Sequence, residues 1–218
     1  GPTFLTNGTV QIDSDARFGS SADPNASFLN LGGGTLQLTG NWTSARAINI
    51  GSLSTLDTQA NNATLSGPIT GGVSFTKSGT GTLTIDTGTG SVTGLDSSYS
   101  GTFTVNAGTL KITNKGALNA ASINLIGTTL DFSGALNIDP TNTGNPWRSI
   151  NALTAGNTST IALGASAGAP VDLRVNSSSG AVAQASHRRC ELGLPQAPIR
   201  RGLIGQASHR TLGETAME

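Results

Sequence analysis

FTKSGTGTLTIDTGTGSVTGLDSSYSGTFTVNAGTLKI, residues 75 to 112, is the stretch on which the fold turns. Within it Gly-Thr-Leu-x-Ile occurs twice, at Gly81 to Ile85 and again at Gly108 to Ile112. Between the copies lie Ser98-Tyr99-Ser100-Gly101, which reads as a turn, and the alternating segment Thr102-Phe103-Thr104-Val105. Strict alternation is the signature of a half-buried strand, because successive side chains of a strand point to opposite faces. A short strand, a glycine break and the same strand again describe a chain that coils and stacks on itself.

The pattern extends in both directions. Threonines in the setting [Gly/Ser/Thr]-Thr-Leu-x-[apolar or Thr] fall at Thr35, Thr55, Thr82, Thr109 and Thr129, with a weaker match at Thr160. Differences between those positions give intervals of 20, 27, 27, 20 and 31 residues. A period that drifts through the twenties suits a solenoid whose turns accept insertions, and fits poorly to propeller blades of about 40 residues. A second apolar-Asn-apolar strand precedes most of these threonines. The triplets are Leu29-Asn30-Leu31, Ile48-Asn49-Ile50, Val105-Asn106-Ala107 and Ile123-Asn124-Leu125. Their asparagines form either an exposed row that binds polar ligands or a hydrogen-bonding ladder along stacked turns.

The unit at 75–112 resembles the autotransporter-associated β-strand repeat of bacterial passenger domains. ATLSGPITGGVSFTKSGTGTLTI and GGTLQLTGNWTSARAINIGSLSTLDT fit the same pattern, so the likeness covers roughly residues 27–135. It implies an all-β, right-handed, single-stranded parallel β-helix, six to eight turns long in the body. With turns about 4.8 Å apart, that body is a rod on the order of 30–40 Å long. Right-handedness follows from the chirality of parallel crossovers. The expected lumen residues are Leu36, Ile50, Leu56, Leu83, Ile85, Val105, Leu110, Ile112, Leu130 and Phe132.

Composition agrees with ordered β structure. Charged residues make up 11% of the 218 and glycines number 30, against about 25% charged in an ordinary domain. Thr, Ser and Asn solvate the surface instead, and all are poor helix formers. Zero net charge argues against nucleic acid, which needs a basic footprint, and no apolar run approaches the ~20 residues of a membrane span. No signal peptide is present, and Gly1-Pro2 reads as the scar of a cleaved tag.

Residues 1–182 contain no Glu, His, Cys or Met. An imidazole to activate a nucleophile is therefore missing from the body, and zinc is poorly served, since a lone Cys and two His in the last 36 residues do not make ligand spacing. The acidic loop with Asp13, Asp15 and Asp23 lacks calcium-site spacing and reads as solvated. One enzymatic alternative survives, a polysaccharide-binding or polysaccharide-cleaving β-helix. Its candidates are Asp57, Asp86, Asp96 and Asp131 with Lys77, Lys111 and Arg46, and its aromatic platforms Trp42, Trp147 and Tyr99. Thr-x-Thr pairs at Thr82/Thr84 and Thr102/Thr104 raise a third possibility, recognition by a flat threonine array.

The chain changes character after residue 182. All Glu, His, Cys and Met, and five of the nine arginines, fall in 183–218, where Gln-Ala-Ser-His-Arg occurs at 184 and 206. The body is expected to span 1–182 and end its last turn near Val175; the tail reads as vector-derived or wrong-frame sequence. The resemblance implies a non-catalytic, surface-exposed stalk or adhesin segment, exported through the outer membrane and needing no cofactor or metal. Its expected partners are a host surface or glycan ligand, or a second copy met through the solenoid end. Membrane attachment would come only through a barrel domain absent from this chain.

Overall fold

A computed structural model describes residues 2–20, 28–87, 98–113, 118, 121–132, 147–162 and 172–175, with backbone only at 147–149 and 172–175. The tail from residue 183 lies outside them, as do Asp23 and Asp96. Turn 1 contains β1 (Thr3–Leu5), β2 (Thr9–Ile12) and a 3-10 turn, Asp15–Phe18. Turns 2, 3 and 4 each carry three strands. These are β3 (Phe28–Leu31), β4 (Gly34–Leu38) and β5 (Trp42–Ser44); β6 (Ala47–Ile50), β7 (Ser54–Asp57) and β8 (Ala63–Leu65); β9 (Ile69–Gly71), β10 (Phe75–Ser78) and β11 (Thr82–Ile85). Later turns contain β12 (Thr102–Val105) and β13 (Thr109–Ile112), then β14 (Ser122–Leu125) and β15 (Thr129–Asp131). The last are β16 (Trp147–Ile150), β17 (Ala152–Ala155), β18 (Thr160–Ala162) and β19 (Asp172–Val175).

Among the described residues every strand pairing is parallel, and the strands sort by position within the turn. The first face is β1-β3-β6-β9, the second β2-β4-β7-β10-β12-β14-β17, and the third β5-β8-β11-β13-β15-β18. Strands β16 and β19 form a separate parallel pair. The described residues form a parallel β-helix.

Alternation within each strand builds the core. On the second face Leu36, Leu56, Lys77, Val105, Leu125 and Ala155 stack in one inward column, whose register begins at the exposed Val10 of turn 1. On the third, Trp42, Ala63, Leu83, Leu110, Leu130 and Ile161 do the same. All ten expected lumen residues are buried. A void of about 10 Å³, lined by apolar residues such as Leu36, Trp42 and Ile69, lies inside turns 2–4; it is too small for anything beyond a water.

The repeat falls into place with one correction. Thr35 pairs with Thr55, and Thr82 with Thr109, Thr129 and Thr160 in turn, yet the two sets sit on different faces. Thr55 continues to Thr76, one turn on. The physical reason is that both faces use the same Thr-apolar-x-apolar strand, so a linear alignment slides from one to the other. The true column is Thr9, Thr35, Thr55, Thr76, Thr104, Asn124 and Thr154. Subtracting successive positions gives turns of 26, 20, 21, 28, 20 and 30 residues. The longest turns, 26, 28 and 30, take their extra length between a third-face element and the next second-face strand.

Glycine shapes the corners of the coil. A Cβ on Gly81 would stand 1.7 Å from the Asn61 carbonyl oxygen of the turn below. On Gly108, whose φ is +70°, it would stand 2.3 Å from the oxygen of Gly81. The glycine that opens each Gly-Thr-Leu-x-Ile copy is thus required by stacking, and at Gly108 also by a left-handed backbone.

Candidate functional site

Among the described residues the charged candidates do not form a cluster. Asp57 points outward from β7, where Gln11 donates to Gln37 Oε1 at 2.6 Å and Gln37 to Asp57 Oδ2 at 2.9 Å. Burial works against ionising Asp57, but hydrogen bonds from Gln37, Gln59 and Ser78 outweigh it and hold the carboxyl below its ordinary value. Asp86 follows β11 at an exposed corner and accepts the Thr113 hydroxyl at 2.6 Å. Asp131 lies on the outer side of β15, with Lys111 Nζ 3.8 Å away on the neighbouring turn. Asp57 and Asp131 occupy different faces and are three turns apart, about 14 Å along the axis alone. Glycosidase carboxylate pairs stand roughly 5–9.5 Å apart. Among the described residues no group of three or more His, Cys, Asp or Glu gathers to hold a metal ion.

Two aromatic candidates prove to be core. Trp42 is 2% exposed and Tyr99 is wholly buried, so neither offers a platform to a sugar ring. The side chain of Trp147 lies outside the described residues. The threonine pairs are divided too: Thr82/Thr84 stand on the third face and Thr102/Thr104 on the second. The asparagine row breaks in the same way. Asn30 and Asn49 are neighbours on the first face, Asn124 belongs to the second-face threonine column, and Asn106 follows β12. Asn49 Oδ1 accepts from Thr70 at 3.1 Å, as expected of a ladder between turns.

The acidic N-terminal loop is more than a solvated connection. Its 3-10 turn stands where a third-face strand would start turn 1, and Phe18 packs on Trp42 with ring centroids 6.1 Å apart. Asp15 accepts Arg46 Nε at 3.0 Å and the Trp42 indole N–H at 3.2 Å. The Arg46 guanidinium also lies 5.8 Å from the Phe18 ring centre and donates to the Gly19 carbonyl. Asp13 stays at the surface, where hydrogen bonds from Arg17 and Ser14 hold its carboxyl well below the usual range. Arg46, a candidate for lyase chemistry by residue type, is instead the buried anchor of a cap.

Lys77 is the second surprise. It occupies the inward column between Leu56 and Val105 and is fully buried. Its ammonium meets the Thr58 hydroxyl at 3.2 Å and the carbonyls of Ser78 (3.2 Å), Gly79 (2.8 Å) and Ala107 (3.0 Å). Burial pulls its pKa from 10.5 down to about 8, with the negative charge of Asp57 opposing. The alternation at Phe75-Thr76-Lys77-Ser78 gave a usable signal, since it puts Lys77 on the same face as Phe75.

Comparisons of the chain with protein-family models, with curated proteins and with solved structures return no match. What the arrangement offers chemically is a set of outward polar ladders on parallel sheets. Among the described residues two buried cations, Arg46 and Lys77, stand inside it, each held by protein oxygens.

Proposed function

We propose that this chain is a segment of a bacterial autotransporter passenger domain, a non-catalytic stalk or adhesin exposed at the cell surface. The observation that carries the reading is the unbroken parallel stacking of one residue column through seven turns, from Thr9 to Thr154. Such a coil extends by adding turns, each burying the edge of the last, and needs no catalytic site to serve as a spacer. Residues 1–182 carry no cysteine, so the body crosses an oxidising compartment without risk of wrong disulfides. The separation of Asp57 from Asp131 is poor geometry for sugar hydrolysis.

The test places the chain between an export signal and a C-terminal outer-membrane barrel in a bacterial host. A passenger segment should reach the surface, where added protease removes it from intact cells. Retention inside the cell would count against the reading. Incubation with uronate-containing and neutral polysaccharides should release neither reducing ends nor unsaturated products. Turnover abolished by Asp57→Asn, Asp86→Asn or Asp131→Asn would replace the stalk with the enzyme.

A further inference from the structure

The first-face ladder ends at β9 among the described residues, while the second and third faces run on through β12 and β13. In turn 5 the residues next to β9 are 98–101, which carry no strand and keep one bond to it, Ser100 N–H to the Gly71 carbonyl at 2.9 Å. Two buried polar side chains stand at this junction. The Tyr99 hydroxyl is a donor shared between two carbonyl acceptors, Val73 in turn 4 (2.8 Å) and Thr102 in turn 5 (2.9 Å). Lys77, in turn 4, reaches back to Thr58 in turn 3 and forward to the Ala107 carbonyl in turn 5. Around them Phe103 meets Phe75 at 5.1 Å and Tyr99 at 6.3 Å, both edge to face. Gly101 is part of the same device, because a Cβ there would stand 2.3 Å from the Val73 oxygen and 2.6 Å from the Tyr99 hydroxyl.

We propose that Lys77 and Tyr99 act together as a staple that keeps the coil cooperative across this gap in its first face. In a solenoid each turn touches only its neighbours, so a weak junction divides the chain into blocks that unfold separately. The block of turns 1–4 has three sheets and a cap. The block from turn 5 onward, described on two continuous sheets, is the weaker and needs the junction to share its neighbour's stability. Both staple residues bond to backbone carbonyls of the adjoining turn, so the coupling does not depend on which side chains face them.

Pulse-labelling hydrogen exchange across a urea titration of the full chain tests this, because peptides from β4–β8 and from β12–β15 report the two blocks in one experiment. In the wild type the two midpoints should coincide. In the double variant Lys77→Met, Tyr99→Phe they should part, with β12–β15 losing protection at lower urea. Midpoints that already differ in the wild type would overturn the proposal, as would midpoints that still coincide in the double variant. Should the double variant fail to fold, Tyr99→Phe alone carries the comparison: separation supports the staple and coincidence refutes it.

Discussion

Lys77 and Arg46 are both buried cations, yet they differ in what removing a partner would do. Arg46 is matched by a carboxylate, so Asp15→Ala strands a buried charge and should cost about 3–5 kcal/mol, with a clear fall in melting temperature. Arg46→Met removes both charge and need, and should cost less. Lys77 is matched by neutral oxygens, so its signature is pH dependence. Its pKa is 10.5 in the unfolded chain and about 8 when folded, and between these values the folded state binds fewer protons. Stability therefore rises with pH across that window, and the penalty for burying the charge is fully present below pH 8. The wild type should gain on Lys77→Met from pH 8 to 10.5 by up to roughly 3 kcal/mol, read from paired thermal melts. A gap that stays constant or moves the other way would show that the ammonium keeps its ordinary affinity for protons.

At the scale of the strand and its corner, Gly81 is the sharpest test of stacking. Gly81→Ala pushes a methyl into the Asn61 carbonyl and should destabilise by several kcal/mol, whereas Gly8→Ala, which meets no atom within 4 Å, should cost about 1–2 kcal/mol for its left-handed φ of +73°. Equal costs at the two sites would mean that the turns can spread apart. Strand-level features were also what the sequence showed best. Period-two alternation located the lumen residues from Leu36 to Phe132, because burial on one side of a strand leaves a direct mark on residue type. The face to which each strand belongs left no such mark, since Thr35-Leu36 and Thr82-Leu83 look alike while stacking on different sheets. Trp42, Arg46 and Asp15 were illegible for another reason. Their association depends on residues 27 and 31 positions apart that meet only after the chain has completed a turn.

For the whole molecule, the sequence break at residue 182 gives the clearest expectation. A chain truncated after Gly180 should melt within error of the full one, because the described core columns end at Ala155 and Ile161, well before the cut. A loss of several degrees would make the Arg-rich tail part of the folded unit, since about 1 kcal/mol corresponds to roughly 2–4 °C at this size. The uneven turn lengths have a different consequence. The surplus residues fall between a third-face element and the next second-face strand, while the second-face column runs from Thr9 to Thr154 without a break, Thr on Thr except at Asn124. The coil therefore has a spine and a margin. Foreign peptides spliced into 88–97 or 133–146 should leave pitch and register untouched, whereas the same peptides placed between β10 and β11 should not. A lineage that needs new surface chemistry has an axial strip on which to write it, one insertion per turn, without rewriting the binding that holds the pages together.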